Sequence, residues 1–166
     1  MPQPKRICSF LGLVLSFNAC AQALPPSEQL PDWVQSRWKV LAAEKGLEIS
    51  TRINPFVWRA DFDGDRRQDF AVLVKSSKSG KEGMAIFARK TKAPYLLGAG
   101  TEFGNGGDDF SWIDLWSIEE QGTVQRSHYA KTVKLQSDGV LVAKEGSASA
   151  LIYLKAGKPT WQQQGD

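Results

Sequence analysis

The sequence predicts an α+β domain in which one N-terminal helix packs on a largely antiparallel sheet of about seven strands. Three observations point to it. Apolar residues recur at helical spacing early in the chain, at Val34, Trp38 and Leu41. After Gly46 the pattern changes to period-two alternation and short apolar runs, and turn residues punctuate those runs. A small all-β barrel with the helix across one end is the alternative architecture.

The helix begins at Pro31, whose fixed φ suits a first turn, and Val34, Trp38 and Leu41 fall at i, i+4 and i+7 on one face. Gln35, Lys39 and Glu44 fall elsewhere and Gly46 stops it, giving an amphipathic helix of about four turns whose stripe needs a partner surface. Strand-like runs follow at 57–62, 70–74, 84–88, 111–118, 129–135, 140–143 and 150–154. Gly80 to Gly83, Asp138-Gly139 and Ala156-Gly157 mark turns between them. The Asp138-Gly139 pair predicts a tight hairpin joining the runs on either side of it. No internal repeat is visible, which argues against a solenoid or a whole propeller.

Ahead of this domain lie a basic pair, Lys5 and Arg6, an apolar run at 7–17, and the small-residue pattern Ala21-Gln22-Ala23. That order predicts a signal peptide over 1–23 cleaved before Leu24, and hence a periplasmic or secreted protein. The run of 11 residues is shorter than the ~18–20 that span a bilayer, so no transmembrane segment is expected. The alternative is a lipoprotein anchored at Cys20, although Phe17 stands where such signals usually carry leucine. Residues 24–30, with Pro25, Pro26 and Ser27, read as an extended linker, and 31–166 as a single globular domain. Both cysteines, Cys8 and Cys20, fall in the predicted signal, so the remaining chain is expected to hold no disulfide. Removing Lys5 and Arg6 leaves 19 basic against 18 acidic residues, a balance that gives no support to nucleic-acid binding.

One segment carries readable chemistry. Asp61, Asp63, Asp65 and Asp69 stand at positions 1, 3, 5 and 9 of a loop containing Gly64 and followed by the run at 70–74. Calcium takes six to eight oxygens at about 2.3–2.6 Å, and closely spaced aspartates in a tight turn can supply several of them, with the carbonyl of Arg67 as the natural backbone ligand. Without an ion these carboxylates repel one another. The pattern is not that of an EF-hand, because glycine stands at position 4 and Val72 occupies position 12. A polar connection whose aspartates cap backbone amides is the competing reading.

The segment from Asp61-Phe62-Asp63-Gly64-Asp65 through Asp69-Phe70-Ala71-Val72 resembles the calcium loop of FG-GAP and VCBS-type repeats. The resemblance implies Asp61, Asp63, Asp65 and Asp69 as side-chain ligands of a structural calcium ion. The sequence departs from it at Arg66, where that family usually has glycine, and a single copy is short of the several repeats a propeller needs.

Other candidates weigh less. The glycine-rich stretch 98–109 contains Glu102, Asn105, Asp108 and Asp109; its carboxylates oppose phosphate binding, and it is either a partner-contact loop or an ordinary long connection. Trp112, Asp114 and Trp116 are expected on one face of a strand, with Ile113 and Leu115 on the other, which describes a buried central strand. Trp58 and Trp161 are expected in the core. His128 is the sole histidine and no G-x-S-x-G elbow accompanies it, so no catalytic role is expected. Lys75, Lys78, Lys81, Lys90 and Lys92 read as guards of a sheet edge.

The segments 147–153, 103–109 and 161–166, with the aspartate loop, are similar to a group of small secreted bacterial proteins, a resemblance that implies a periplasmic home and no particular activity. The expected function is a calcium-stabilised binding or interaction module, of inhibitor or immunity type, whose partner is a protein or an envelope component. The alternative is an envelope hydrolase using Asp108 or Asp109 with Glu102 as acid and base.

Overall fold

The computed structural model describes residues 24–125, 127–128 and 130–165. The expected signal peptide, with Cys8 and Cys20, lies outside these residues, as do Arg126, Tyr129 and Asp166.

Helix α1 spans Asp32–Lys45, with Pro31 at its N-cap and Gly46 at its C-cap in the left-handed region, φ 63°. Its buried residues are Val34, Trp38 and Leu41, the predicted stripe. The stretch 24–30, expected to be an extended linker, instead contains a 3-10 turn, Pro26–Gln29, and Leu30 is buried beside the helix. No helix among the described residues is long and apolar enough to cross a membrane.

The strands number eleven among the described residues, in three antiparallel sheets and not one, with no closed barrel. They are β1 (Leu47–Ile49), β2 (Val57–Ala60), β3 (Asp69–Ser76), β4 (Glu82–Phe87), β5 (Tyr95–Gly98), β6 (Leu115–Glu119), β7 (Gly122–Val124), β8 (Val133–Leu135), β9 (Gly139–Ala143), β10 (Ser149–Lys155) and β11 (Lys158–Gly165). In the first sheet β4 pairs with β5 and with one edge of β3, while β1 and β2 share the other edge of β3, at residues 74–76 and 69–72. The second sheet has the order β11-β10-β9-β6, and β7 with β8 form a two-stranded ribbon.

Alternation along β3 explains the layering. Phe70, Val72 and Val74 share a core with α1, whereas Ala71 and Leu73 join Met84 and Ile86 against Trp116, Val140, Val142, Ala150 and Ile152 of the second sheet.

 The faces of Phe70, Val72 and Val74 thus look towards the helix and those of Ala71 and Leu73 towards the second sheet, so β3 is covered on both sides and its sequence is apolar without interruption from Phe70 to Val74. In β10, Ala150 and Ile152 face that same central core, while Leu151 packs with Val124, Val133 and Leu135 of the ribbon. The order of layers is therefore helix, first sheet, second sheet, ribbon. Each fully buried Val, Leu, Ile, Phe or Met side chain in these interfaces contributes about 1.5–3 kcal/mol of transfer free energy.

Two expectations are corrected. Asp138-Gly139 does not turn a hairpin, because β8 pairs with β7 and β9 pairs with β6 and β10. A two-residue turn of that kind needs positive φ at both positions, and neither residue has it. The hairpin at Ala156-Gly157 does form, with φ of 50° and 73°. Trp112, Asp114 and Trp116 do not share a strand face, since β6 starts only at Leu115 and the segment before it is a turn closed by Ile113 N–H to the Phe110 carbonyl, 3.0 Å. Nor is β6 central: it lies at the edge of the second sheet, and Leu115 is exposed. Trp116 is buried, and its Nε1 donates to the Pro55 carbonyl at 2.7 Å.

Candidate functional site

The loop from Asp61 to Gln68 joins β2 to β3. Gly64 and Arg66 reverse the chain with φ of 72° and 63°. Its aspartates then accept hydrogen bonds from backbone amides further along, as aspartates in turns do. Asp65 N–H donates to Asp61 Oδ1 at 3.0 Å and to Asp63 Oδ1 at 3.1 Å, Arg66 N–H to Asp61 Oδ2 at 2.7 Å, and Arg67 N–H to Asp65 Oδ1 at 2.8 Å. The turn is therefore wound around its own carboxylates. Asp61, Asp63 and Asp65 each bring a carboxylate oxygen within 4.8 Å of the others. Ligands at about 2.4 Å from one ion lie no more than about 4.8 Å apart, so this spacing suits a shared hard cation.

Local positive charge offsets the repulsion among these acids. The Arg67 guanidinium donates from Nε and Nη2 to Asp65 Oδ2, at 2.8 and 2.6 Å, and this pairing holds the Asp65 carboxyl below the usual range. Lys90 donates through its N–H to Asp63 Oδ2 at 2.8 Å and through Nζ to the Asp63 carbonyl at 2.6 Å. Each carboxylate oxygen other than Asp65 Oδ2 accepts a single hydrogen bond and keeps a lone pair. The donor set is all oxygen and anionic, a set that could hold a hard metal ion.

Asp69 stands apart from this group of three. It is fully buried, and its carboxylate accepts Phe62 N–H at 3.0 Å, Asp63 N–H at 3.2 Å and Arg89 N–H at 2.8 Å. Burial pushes its pKa up to about 6 against the opposing hydrogen bond from Arg89, and the neighbouring charge of Asp63 adds to the rise. Asp69 thus braces the loop from beneath. Asp138 is a second brace, which sequence reasoning assigned to a hairpin. Its carboxylate accepts Asp61 N–H at 2.9 Å and Gln121 N–H at 3.0 Å, and its own N–H donates to the Asp61 carbonyl at 2.9 Å. Ser137 Oγ donates to the Phe62 carbonyl at 2.7 Å. The only sequence signal for this contact was an aspartate in a turn, which does not say what it meets.

The glycine-rich stretch is organised by aromatic packing. A Cβ on Gly104 would lie 2.5 Å from Trp161 Cβ and Cγ, and one on Gly106 would lie 2.8 Å from Phe110 and 2.9 Å from the Trp161 ring. Phe103, Phe110 and Trp112 surround Trp161 with ring centroids 6.1, 6.2 and 6.2 Å away. Trp58 likewise packs on the core, edge-on to Trp116. Glu102 and Asn105 are exposed. Asp108 pairs with Lys81, and Asp109 Oδ1 accepts Glu82 N–H at 2.9 Å and Ser111 N–H at 3.0 Å. Partial burial raises the Asp109 pKa, but those amide bonds outweigh it and hold the group below its ordinary value. A general acid needs the opposite shift. His128 is exposed in the connection between β7 and β8.

Compared with known proteins, the chain matches no protein-family model, no curated protein and no solved structure.

Proposed function

We propose that this chain is an exported binding or interaction module whose domain is stabilised by one calcium ion held by Asp61, Asp63 and Asp65. The convergence of these three carboxylates within 4.8 Å carries the reading. Asp69 and Asp138 act as positioning residues, fixing the amides around which the loop turns. The ion's role is structural: it neutralises the cluster and stiffens the connection between β2 and β3. Export rests on the pattern of Lys5, Arg6, the apolar run at 7–17 and Ala21-Gln22-Ala23.

Thermal melts in calcium and in EDTA test it. Extracellular calcium modules bind at about 0.1–1 mM. With a dissociation constant of about 0.1 mM, 1 mM free calcium adds roughly 1.4 kcal/mol if only the folded state binds. That raises the melting temperature by about 3–7 °C for a domain of this size. Asp63→Ala abolishes the rise. Superimposable wild-type melts with and without millimolar calcium would reduce the loop to a self-capped turn.

A further inference from the structure

A second feature lies on the face of the first sheet that carries α1, where three arginines gather beside one tryptophan. Trp33 of α1 packs edge-on to Phe70 of β3, with ring centroids 5.8 Å apart. Two guanidinium carbons lie over its ring, that of Arg89 at 4.1 Å from the centroid and that of Arg37 at 4.9 Å. Arg37 Nη1 donates to the Ala88 carbonyl at 2.8 Å and Arg89 Nε to the Gln68 carbonyl at 3.4 Å, so both groups are held in place. Beside them runs an open groove of about 580 Å³, walled by Trp33, Val57, Phe70, Arg59, Gln68 and Arg89.

None of Arg37, Arg59 and Arg89 pairs with a carboxylate among the described residues; the ion pairs there belong to Arg52, Arg67, Lys81 and Lys90. Asp32, the acid next to Trp33 in the chain, is exposed and pairs with none of them. Ordering guanidinium groups over a ring costs side-chain entropy, and the like charges of Arg59 and Arg89 on one groove repel one another unless a counter-charge arrives. Tryptophan and arginine are also the side chains most enriched where binding energy concentrates at protein interfaces.

We infer that this groove docks an acidic peptide segment of a protein partner, with an apolar side chain laid on Trp33, Val57 and Phe70 and flanking carboxylates paired to Arg59 and Arg89. Planar guanidinium groups suit carboxylates through paired N–H donors. This rests on the interaction-module reading and is independent of the calcium ion.

The test is fluorescence anisotropy on the protein lacking residues 1–23, with a labelled peptide of about ten residues alternating glutamate and leucine, at about 50 mM salt. Binding is expected, weakened at least about fivefold by Arg59→Gln and by Arg89→Gln, and weakened similarly at about 300 mM salt. Arg59 is exposed, and the Arg89 bond to Asp69 is made by its backbone, so Arg89→Gln keeps that bond and loses the side chain's contacts with Gln68 and Trp33. The wild-type protein binds the peptide equally in EDTA and in millimolar calcium, which separates this result from the fate of the calcium site. Equal binding of a glutamine-for-glutamate peptide, or unaltered binding by both arginine variants, would overturn the proposal. So would binding to phosphatidylglycerol vesicles with none to the peptide.

Discussion

Replacing Arg66 separates backbone strain from charge at the aspartate loop. Arg66 is exposed, has φ 63°, and contributes its N–H to Asp61 Oδ2 at 2.7 Å. A residue with a Cβ in this left-handed conformation carries about 1–2 kcal/mol of steric cost, which glycine escapes, although glycine loses more chain entropy on folding, by about 0.5–1 kcal/mol. Arg66→Gly and Arg66→Ala both remove the positive charge beside the carboxylates, and both retain the N–H. They differ only in the Cβ. In EDTA, Arg66→Gly is therefore expected to be more stable than Arg66→Ala by about 0.5–1 kcal/mol, or roughly 2–5 °C in melting temperature. Both variants should bind calcium more tightly than wild type, by about two- to fivefold, because an exposed like charge opposes the ion by about 0.4–1 kcal/mol at high dielectric. Differential scanning fluorimetry gives the first difference and isothermal titration calorimetry the second. An Arg66→Ala protein as stable as Arg66→Gly would refute the strain argument, and wild-type affinity in both would refute the charge argument.

Gly104→Ala is expected to destabilise by about 2–4 kcal/mol, since its Cβ meets Trp161 at 2.5 Å and overpacking adds to strain at φ 56°; Gly46→Ala, with φ 63° and ψ 54° and its nearest neighbour, Ser77 Oγ, at 3.4 Å, should cost only about 1 kcal/mol, and chemical denaturation compares the two. Asp69 sets a pH dependence in the metal-free protein: its folded pKa of about 6 lies above the ordinary 3.8, so the folded state binds more protons and stability is lost as pH rises through about 6, by at most about 1.4 kcal/mol per unit. Melts in EDTA should therefore rise from pH 7.5 to pH 5, the depressed groups Asp65 and Asp109 acting only below their ordinary value of 3.8; a monotonic fall over that range would show Asp69 to be a stably ionised carboxylate. Asp138→Ala removes the acceptor of two backbone amides and should cost about 1–3 kcal/mol, read from urea midpoints, while Asp114→Ala, which loses one exposed amide contact at 3.2 Å, should cost under about 1 kcal/mol.

The helix was legible because every signal for it is local: Pro31, the stripe Val34, Trp38 and Leu41, and Gly46. The partition into three sheets was not. β3 and β10 are covered on both faces, so their apolar runs show no alternation that names a layer. β1 and β7 are three residues long, too short for a period, and β11 reads as a polar tail although Gln164 within it is buried. At the site, the inward grouping of Asp61, Asp63 and Asp65 followed from their alternate spacing. The separate duty of Asp69 did not, because it depends on the amide of Arg89, twenty residues away, and on burial that only the assembled layers create.

The order of layers also constrains how the chain can fold as it is made. The helix and the first sheet are complete by Gly98, yet the inner face of that sheet, with Ala71, Leu73, Met84 and Ile86, is covered by residues between Phe110 and Ile152. A nascent chain halted near residue 110 therefore presents a bare apolar sheet face and an aspartate turn without Asp138 to fasten it. Such a fragment is a client for holdase chaperones and a target for proteases, and the chain gains resistance to both only when β9 and β10 have been added.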